Sequence, residues 1–208
     1  MARTVGSSAP ETRRRILDSA TAVFAEHGYA GASMRDIAER LGITKAALYY
    51  HFTSKEDLLD GLVHPVMQEL SEFAQAAESG ALSNGQIVSR FLELTIEGFP
   101  GFFPLMIDPG ARDAIKARYD LQEPMQRIEA ALARGTDPDR VLCAQFILGG
   151  IRSMVVSRLL AMRRAKCGEG EHVAFVDFVR SEDAAPLLNE AECAVVVRTA
   201  LAGLAAVA

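Results

Sequence analysis

Cysteine is scarce in this chain of 208 residues. Its three cysteines, Cys143, Cys167 and Cys193, are widely spaced, odd in number and never form a CxxC pair. Because a disulfide framework needs paired cysteines and a zinc site needs clustered ligands, neither is indicated. The four histidines are not clustered either. We therefore expect a protein of the reducing cytoplasm that carries no metal and no cofactor.

Signatures of catalysis, secretion and membrane insertion are also missing from the sequence. No serine or cysteine nucleophile stands near a base, and no glycine-rich phosphate loop occurs, so we expect no enzyme. The N-terminus lacks an apolar signal core. The apolar stretch 193–208 is too short to span a bilayer and contains Arg198. Neither export nor membrane insertion is expected.

Positive charge is concentrated at the N-terminal end, although the whole chain has a net charge of -5. Residues 1–55 carry eight lysines and arginines against five acids, a net charge of +3, whereas residues 56–208 carry 14 against 22, a net charge of -8. A small basic module on an acidic body favours contact with DNA at one end only.

Apolar residues recur at helical spacing, and no strand-like alternation bounded by hairpin turns interrupts them. The pattern predicts an all-α protein, in which an N-terminal three-helix module is joined by a fourth helix to a helical body. We predict the first helix at 11–27, the next two at 33–42 and 44–52, and the fourth from Ser54 onward. Caps and breakers in the body predict helices at 83–98, 101–107, 110–122, 123–134, 139–166 and 190–207, with a shorter candidate at 173–180.

Pro65 falls inside the predicted fourth helix. A proline there removes a backbone donor and clashes with the preceding turn. We therefore expect the helix to kink or restart between Gly61 and Pro65, which would place a hinge between module and body.

The second and third predicted helices have the spacing of a helix-turn-helix. Ala38 is small where two helices would cross, and Gly42, four residues later, tolerates the positive φ of a tight turn. Leu48, six residues further, is placed as the inward anchor of the second helix, with Ile37 and Phe52 closing a small core. We predict a helix-turn-helix between Ser33 and Lys55.

The third helix would then read DNA. The hydroxyl of Thr44 can bind phosphate, and Lys45 can reach a guanine edge or a phosphate. Ala46 and Tyr49 can contact thymine methyl groups, since both lie on the leading, outward side. The backbone on the other flank would be clamped by Tyr50, His51 and Lys55.

Together these residues resemble the N-terminal signature of the TetR family of bacterial regulators over about 45 residues, less than a quarter of the chain. The matching segments are Gly28-Tyr29, Ser33 to Ala38, Leu41 to Phe52 and Lys55 to Leu59. The resemblance implies DNA contacts from Ser33, Thr44, Lys45, Tyr49, Tyr50, His51 and Lys55. Arg35 and Ala46 are further candidates for DNA contact on the same two helices. Ala46 and Ala47 stand where other members often carry polar residues. We therefore expect sequence specificity to depend less on direct base contacts and more on DNA shape.

By the same resemblance, the body would bind a small molecule and dimerise. The domains would be a flexible arm at 1–10, a DNA-binding domain at 11–55, and an effector-binding and dimerisation domain at 56–208. We expect a repressor that leaves a palindromic operator when an unidentified effector binds. Two alternatives stay open: a transcriptional activator, and a redox sensor acting through Cys167 in a predicted loop.

Two helices of the body suit a homodimer interface. Small residues recur every four positions on the 139–166 helix, at Gly149, Ser153, Ser157 and Ala161, and again on the last helix at Thr199 and Gly203. Such ridges allow close helix crossing, either within one chain or between two copies. A helix-turn-helix module recognises one half of a palindromic operator and usually binds as a symmetric pair, so we favour the dimer.

An irregular apolar run around residues 98–109, rich in phenylalanine, glycine and proline, is either ordinary core or the wall of an effector pocket. Broken helices leave cavities, and Phe and Met adapt to apolar guests. The candidate lining residues are Phe91, Phe99, Phe102, Phe103, Met106, Tyr119, Phe146 and Met154. Arg152, set among apolar neighbours, would pair with an anionic effector or with an acid of the body.

Overall fold

The computed structural model describes residues 9–166 and 186–207, and within those ranges every regular element is an α-helix. The all-α prediction is therefore confirmed. The helices are α1 (Ala9–Gly31), α2 (Met34–Leu41), α3 (Lys45–His51), α4 (Lys55–Glu78), α5 (Asn84–Ile107), α6 (Pro109–Lys116), α7 (Gln122–Ala133), α8 (Pro138–Lys166) and α9 (Glu190–Ala206).

Most of these helices begin at a short polar side chain that accepts a hydrogen bond from a backbone N–H. In α9, Asn189 caps the N–H of Glu192, whose carboxylate accepts from the N–H of Asn189 in return. Each such cap stabilises a helix start by about 1 kcal/mol. The same role is played by Ser33, Thr44, Ser54, Ser83 and Asp108. The predicted starts at Ser33, Ser54 and Asn189 are confirmed.

The fourth helix does not restart at Pro65, contrary to the prediction. It runs as one element from Lys55 to Glu78. An interior proline costs about 3 kcal/mol, whereas each fully buried large apolar side chain contributes about 1.5–3 kcal/mol. Leu58 and Val63 before the proline and Met67 and Phe73 after it are all buried. Their packing outweighs the lost hydrogen bond and keeps both halves in one continuous helix.

The helices predicted separately at 83–98 and 101–107 are also one helix, because α5 continues past Gly98, Gly101 and Pro104. The helix predicted at 110–122 is shorter than expected, since α6 ends at Lys116 and α7 begins at Gln122. The predicted helix at 173–180 lies outside the described residues.

The body is organised around a first hydrophobic cluster. It is formed by the second half of α4, by α5, α7, α8 and α9, and by Leu187 and Leu188 in the segment before α9. Its largest buried members include Phe73, Leu92, Ile128, Leu148 and Leu204. Because α9 packs against both α5 and α8, the C-terminal helix is part of this core.

A second hydrophobic cluster lies under the N-terminal module and extends into the body. Ile16, Ile37 and Leu48 come from the first three helices. Leu105 at the end of α5 and Ile115 of α6 are buried in the same cluster. The module therefore shares its core with α5 and α6, and both of these helices pack directly against α1.

Candidate nucleic-acid interface

The turn between α2 and α3 has the backbone geometry that the sequence predicted. Gly42 adopts φ 64° and ψ 29°, the left-handed conformation, and its N–H donates to the carbonyl of Glu39 at 3.1 Å. Ile43 closes the turn by donating to the carbonyl of Ala38 at 3.1 Å. Since only glycine adopts this conformation without a steric cost, Gly42 fixes the angle between the two helices.

The inner face of α3 is anchored in the second cluster. Leu48 and Phe52 are both 0% exposed. Thr44 caps the helix by accepting a hydrogen bond from the N–H of Ala47 at 3.1 Å. This bond uses the hydroxyl oxygen as an acceptor, so the hydroxyl proton can still be donated to a phosphate.

The outer face of α3 presents the side chains that the sequence assigned to DNA. Tyr50 is 85% exposed and Tyr49 is 42% exposed. Lys45 and Ala46 are exposed too, and the Lys45 ammonium lies 5.7 Å from the centre of the Tyr49 ring. Two adjacent tyrosines offer a surface with an apolar ring and a polar hydroxyl, which suits contact with a partner. His51 is half-buried, with its ring edge against Tyr50.

Ser33 and Arg35 lie at the exposed start of α2. The Ser33 hydroxyl donates to Asp36 at 2.8 Å, and these hydrogen bonds hold the pKa of the Asp36 carboxyl below its usual value. The cap is therefore intact at neutral pH. Arg35 forms an ion pair with Glu39 at 2.6 Å on the open surface. A surface pair contributes only about 0–1 kcal/mol, so Arg35 can exchange Glu39 for a phosphate.

Lys55, which the sequence assigned to a clamp on the DNA backbone, has its ammonium bound within the chain in this structure. Its ammonium donates to the carbonyls of Tyr29, Ala30 and Ala32 at 2.7, 3.4 and 3.1 Å. It also lies 4.6 Å from the centre of the Tyr29 ring. An ammonium has three donors, and all three are occupied. Lys55 thus ties the end of α1 to the start of α4.

Arg13 of α1 holds the far end of α3. Its guanidinium lies 4.0 Å above the centre of the Phe52 ring, and its Nη1 donates to the carbonyl of His51 at 3.1 Å. These hydrogen-bond partners are 38 residues apart in the chain. No local pattern of caps or periodicity indicates such a contact, so sequence reasoning counted Arg13 only as part of the basic end. The structure identifies it as a residue that fixes the orientation of α3.

A second candidate site, which we call the body cavity, lies between α4, α5, α7 and α8. It has a volume of about 420 Å³. Among its lining residues are five that the sequence proposed for an effector, namely Phe91, Phe102, Phe103, Met106 and Arg152. α4 contributes Val66, Met67, Glu69 and Leu70. The sequence did not indicate them, because the three apolar residues have the pattern of ordinary helix core and Glu69 that of a helix surface.

Three further candidates do not line the body cavity. The Tyr119 hydroxyl donates to Asp60, Phe146 is 81% exposed, and Met154 packs against the first cluster. For Phe146 and Met154, both on α8, the helical spacing explains why they do not line the cavity. Residues two and six positions from Arg152 lie about 160° and 120° away from it around a helix, so neither Met154 nor Phe146 shares its face. The side chain of Phe99 lies outside the described residues.

The cysteines give no support to redox chemistry in the described part of the chain. Cys143 and Cys193 are half-buried free thiols. Burial raises the pKa of Cys193, and nearby Glu192 raises it further, so less of the reactive thiolate is present. Cys167 lies outside the described residues. No group of three potential metal ligands occurs among the residues described.

Comparison with known proteins finds similarity to bacterial transcriptional regulators. The profile of the family described as bacterial regulatory proteins, tetR family, matches residues 16–62. The transcriptional regulator TtgR of Pseudomonas putida is 35% identical over 79 residues, which are 38% of this chain and 38% of TtgR. The transcriptional repressor AcnR of Corynebacterium efficiens is 27% identical over 142 residues, which are 68% of this chain and 65% of AcnR.

The chain thus matches less than two thirds of the length of these relatives. Over a longer range it resembles the crystal structure of PfmR, a TetR family transcriptional regulator from Thermus thermophilus. The TM-score is 0.51 at 26% identity, and the match covers 84% of this chain and 96% of PfmR. The likeness therefore extends from the N-terminal module into the helical body.

Proposed function

Because this chain belongs to the TetR family of bacterial regulators, we propose that it is a homodimeric repressor of transcription that a small molecule releases from a palindromic operator. The exposed face of α3 carries the proposal. Tyr50 is 85% exposed although the opposite side of the same helix, at Leu48, is fully buried. This combination suits a helix that is rigidly held and reads a DNA groove. AcnR, named as a repressor, supports repression over activation.

DNA binding is tested with the full-length protein and the DNA upstream of its own gene. Footprinting locates the operator, and fluorescence anisotropy then gives the affinity as a function of salt. Lys45→Met should weaken binding roughly 10- to 100-fold and reduce the slope of log K against log salt by about one, as expected for one lost phosphate contact. The control is Lys116→Met, an exposed lysine in the last turn of α6.

Tyr50→Ala provides an independent test, since the side chain is so exposed that its removal should leave the melting temperature unchanged. Operator affinity should fall while binding to unrelated DNA changes less. Equal binding of the wild-type protein to operator and unrelated DNA of the same length would refute sequence-specific recognition.

An apolar outer face on α8 supports the homodimer. Leu142 and Phe146 lie four residues apart, on one side of the helix, and are 66% and 81% exposed. On α9, which packs against α8, Val195 is 50% exposed. Leaving such a face in water is costly, and a second copy would cover it symmetrically.

The stretch Pro138–Met162 of α8 is also long and apolar enough to cross a membrane by length and composition alone, with a mean hydropathy of 1.3. It is longer than the 193–208 segment considered from the sequence. The inner side of α8, including Leu148 and Val155, is buried in the first cluster. A dimer in the cytoplasm accounts for the outer face without removing α8 from that core.

The dimer is tested by Phe146→Arg, which places a charge in the centre of the outer face. Sedimentation should show a monomer, and operator affinity should fall sharply because two half-sites are no longer held together. Gln126→Arg is the control, since Gln126 is an exposed position on α7. A dimer that persists in Phe146→Arg would move the interface elsewhere.

Effector release is supported by the residues that lie between the body cavity and the N-terminal module. Phe102 and Met106 line the body cavity and also pack against the second cluster. Leu105, between them, is 1% exposed within that cluster. A guest that displaces this end of α5 therefore changes the packing beneath α1 and α3. The continuous α4 provides a second link, since Val63 belongs to the second cluster and Val66 lines the cavity.

A further inference from the structure

The wall of the body cavity offers a guest apolar surface and almost no hydrogen bonding. Thr95 carries the only hydroxyl among the described lining residues, and it is 5% exposed. It donates to the carbonyl of Phe91 at 2.6 Å, so its proton is already used. The rest of the wall is largely aromatic or aliphatic, with Met67, Met106 and Met125 adding side chains that adapt to a guest.

Two charged side chains reach this cavity, Glu69 from α4 and Arg152 from α8. The Glu69 carboxylate is compensated, because it accepts a hydrogen bond from Arg90 at 2.7 Å. Arg152 forms no ion pair with any of the residues the structure describes. It is exposed, so its guanidinium lies at the mouth of the cavity, where water solvates it. The cavity thus combines an apolar interior with one positive charge at its entrance.

We propose that the body cavity binds an amphipathic monoanion, an apolar molecule that ends in one carboxylate, and that this carboxylate pairs with Arg152. The inference rests on the proposed effector function and names the chemical class of the effector. A planar carboxylate matches the fork of the guanidinium with two parallel hydrogen bonds. A second charge or several hydroxyls would be buried without partners against this wall, which excludes sugars and dianions.

The volume sets the size of the guest. If each non-hydrogen atom occupies about 30 Å³, as a water molecule does in the liquid, then 420 Å³ hold about 14 such atoms. Straight-chain monocarboxylates of increasing length are therefore suitable probes. Affinity should rise about fourfold for each added methylene until the cavity is full, and then level off.

The test is calorimetric titration of the full-length protein with these carboxylates and with the alcohols and amines of equal length. The carboxylate should bind roughly threefold to tenfold more tightly than the alcohol, as expected for a bidentate charge pair at a solvated entrance. Equal affinities, tighter binding of the amine, or no binding of any probe would each overturn the proposal.

Two arginine variants test whether the preference for carboxylate over alcohol comes from the Arg152 side chain. Arg152→Gln should bind carboxylate and alcohol equally, while its unchanged affinity for the alcohol shows that the cavity is still folded. Arg158→Gln, on the same helix, loses a surface ion pair with Glu192 and should keep the full preference. If Arg152→Gln retains the preference, the anchor is another group and the proposal is wrong.

An assay of operator release tests the ligand class and the proposed effector function separately. The best carboxylate is added at a concentration between its dissociation constants for the wild-type protein and for Arg152→Gln. It should dissociate the operator complex of the wild-type protein and leave most of the complex of Arg152→Gln intact. Tight, Arg152-dependent binding without release would leave the ligand class standing and refute its role as effector. Operator release by a molecule that needs no Arg152 would support the function and refute the ligand class.

Discussion

Replacing Lys55 by methionine distinguishes a structural role for this residue from contact with DNA. Methionine keeps an unbranched apolar stem and removes the ammonium. In the native protein that ammonium donates to the carbonyls of Tyr29, Ala30 and Ala32. Without it, the carbonyls that end α1 lose their cation, and the link from α1 to α4 is cut.

The size of the effect follows from these contacts. A hydrogen bond to a charged group contributes about 1.5–3 kcal/mol, and the nearby Tyr29 ring adds about 0.5–1 kcal/mol at a partly exposed site. The freed carbonyls partly regain water, since the site is only part-buried. We therefore expect the free energy of unfolding to fall by about 2–4 kcal/mol, which lowers the melting temperature by roughly 4–16 °C in a chain of this size.

Thermal unfolding followed by circular dichroism measures this loss, with Lys116→Met as the exposed control. Operator binding of Lys55→Met is then measured well below its melting temperature. The dependence of affinity on salt should match that of the wild-type protein, whereas Lys45→Met should lower the slope by about one. An unchanged melting temperature together with a lower salt slope would show that Lys55 contacts phosphate after all.

Three further predictions concern the module and its junction with the body. Gly42→Ala should lower the free energy of unfolding by about 1–2 kcal/mol, because an alanine at φ 64° strains the backbone. The new Cβ would meet nothing within 4 Å, so no steric clash adds to this cost. An unaltered urea concentration at the unfolding midpoint would contradict this. Burial raises the pKa of Tyr29 and of Tyr119 from the ordinary value of 10 to about 12. Their neutral phenols therefore contribute fully to the stability of the fold below pH 10. This contribution is lost as the pH rises through about 12. The stability difference between wild type and Tyr119→Phe should shrink over this interval, and a constant difference would refute the linkage. Arg13→Lys should weaken operator binding several-fold at an unchanged salt slope, since the contact with His51 is lost but the charge is kept. Operator affinity equal to that of the wild-type protein would contradict this role.

The sequence predicted helix caps and turns correctly where the contacts that form them are between residues close together in the chain. Ser33, Gly42 and Asn189 act on backbone groups within three or four residues of themselves, and the structure places a cap or turn at each. Pro65 was misleading because its local penalty competes with burial along the whole of α4, which depends on distant helices. The cavity was predicted only in part. Helical spacing alone separates Arg152 from Phe146, whereas the contribution of Val66 and Leu70 depends on which helices pack together in the fold.

The contacts that fix the site most firmly are long-range, and for that reason they escaped prediction. Arg13 meets His51 across 38 residues, and Lys55 meets Tyr29 across 26. Either cation, read alone on a basic module, is equally compatible with a phosphate contact. Only the folded positions of their acceptors separate the two roles.

The second hydrophobic cluster also sets a limit on exchanging operator specificity between regulators. A chimera that transfers residues 11–55 alone would place a foreign surface against Leu105 and Ile115, which are 1% exposed in the native core. Each poorly filled position of this kind costs about 2–5 kcal/mol, a large part of the stability of a domain. A transplant that keeps both its fold and its response should therefore carry the end of α5 and all of α6 with the reading helix.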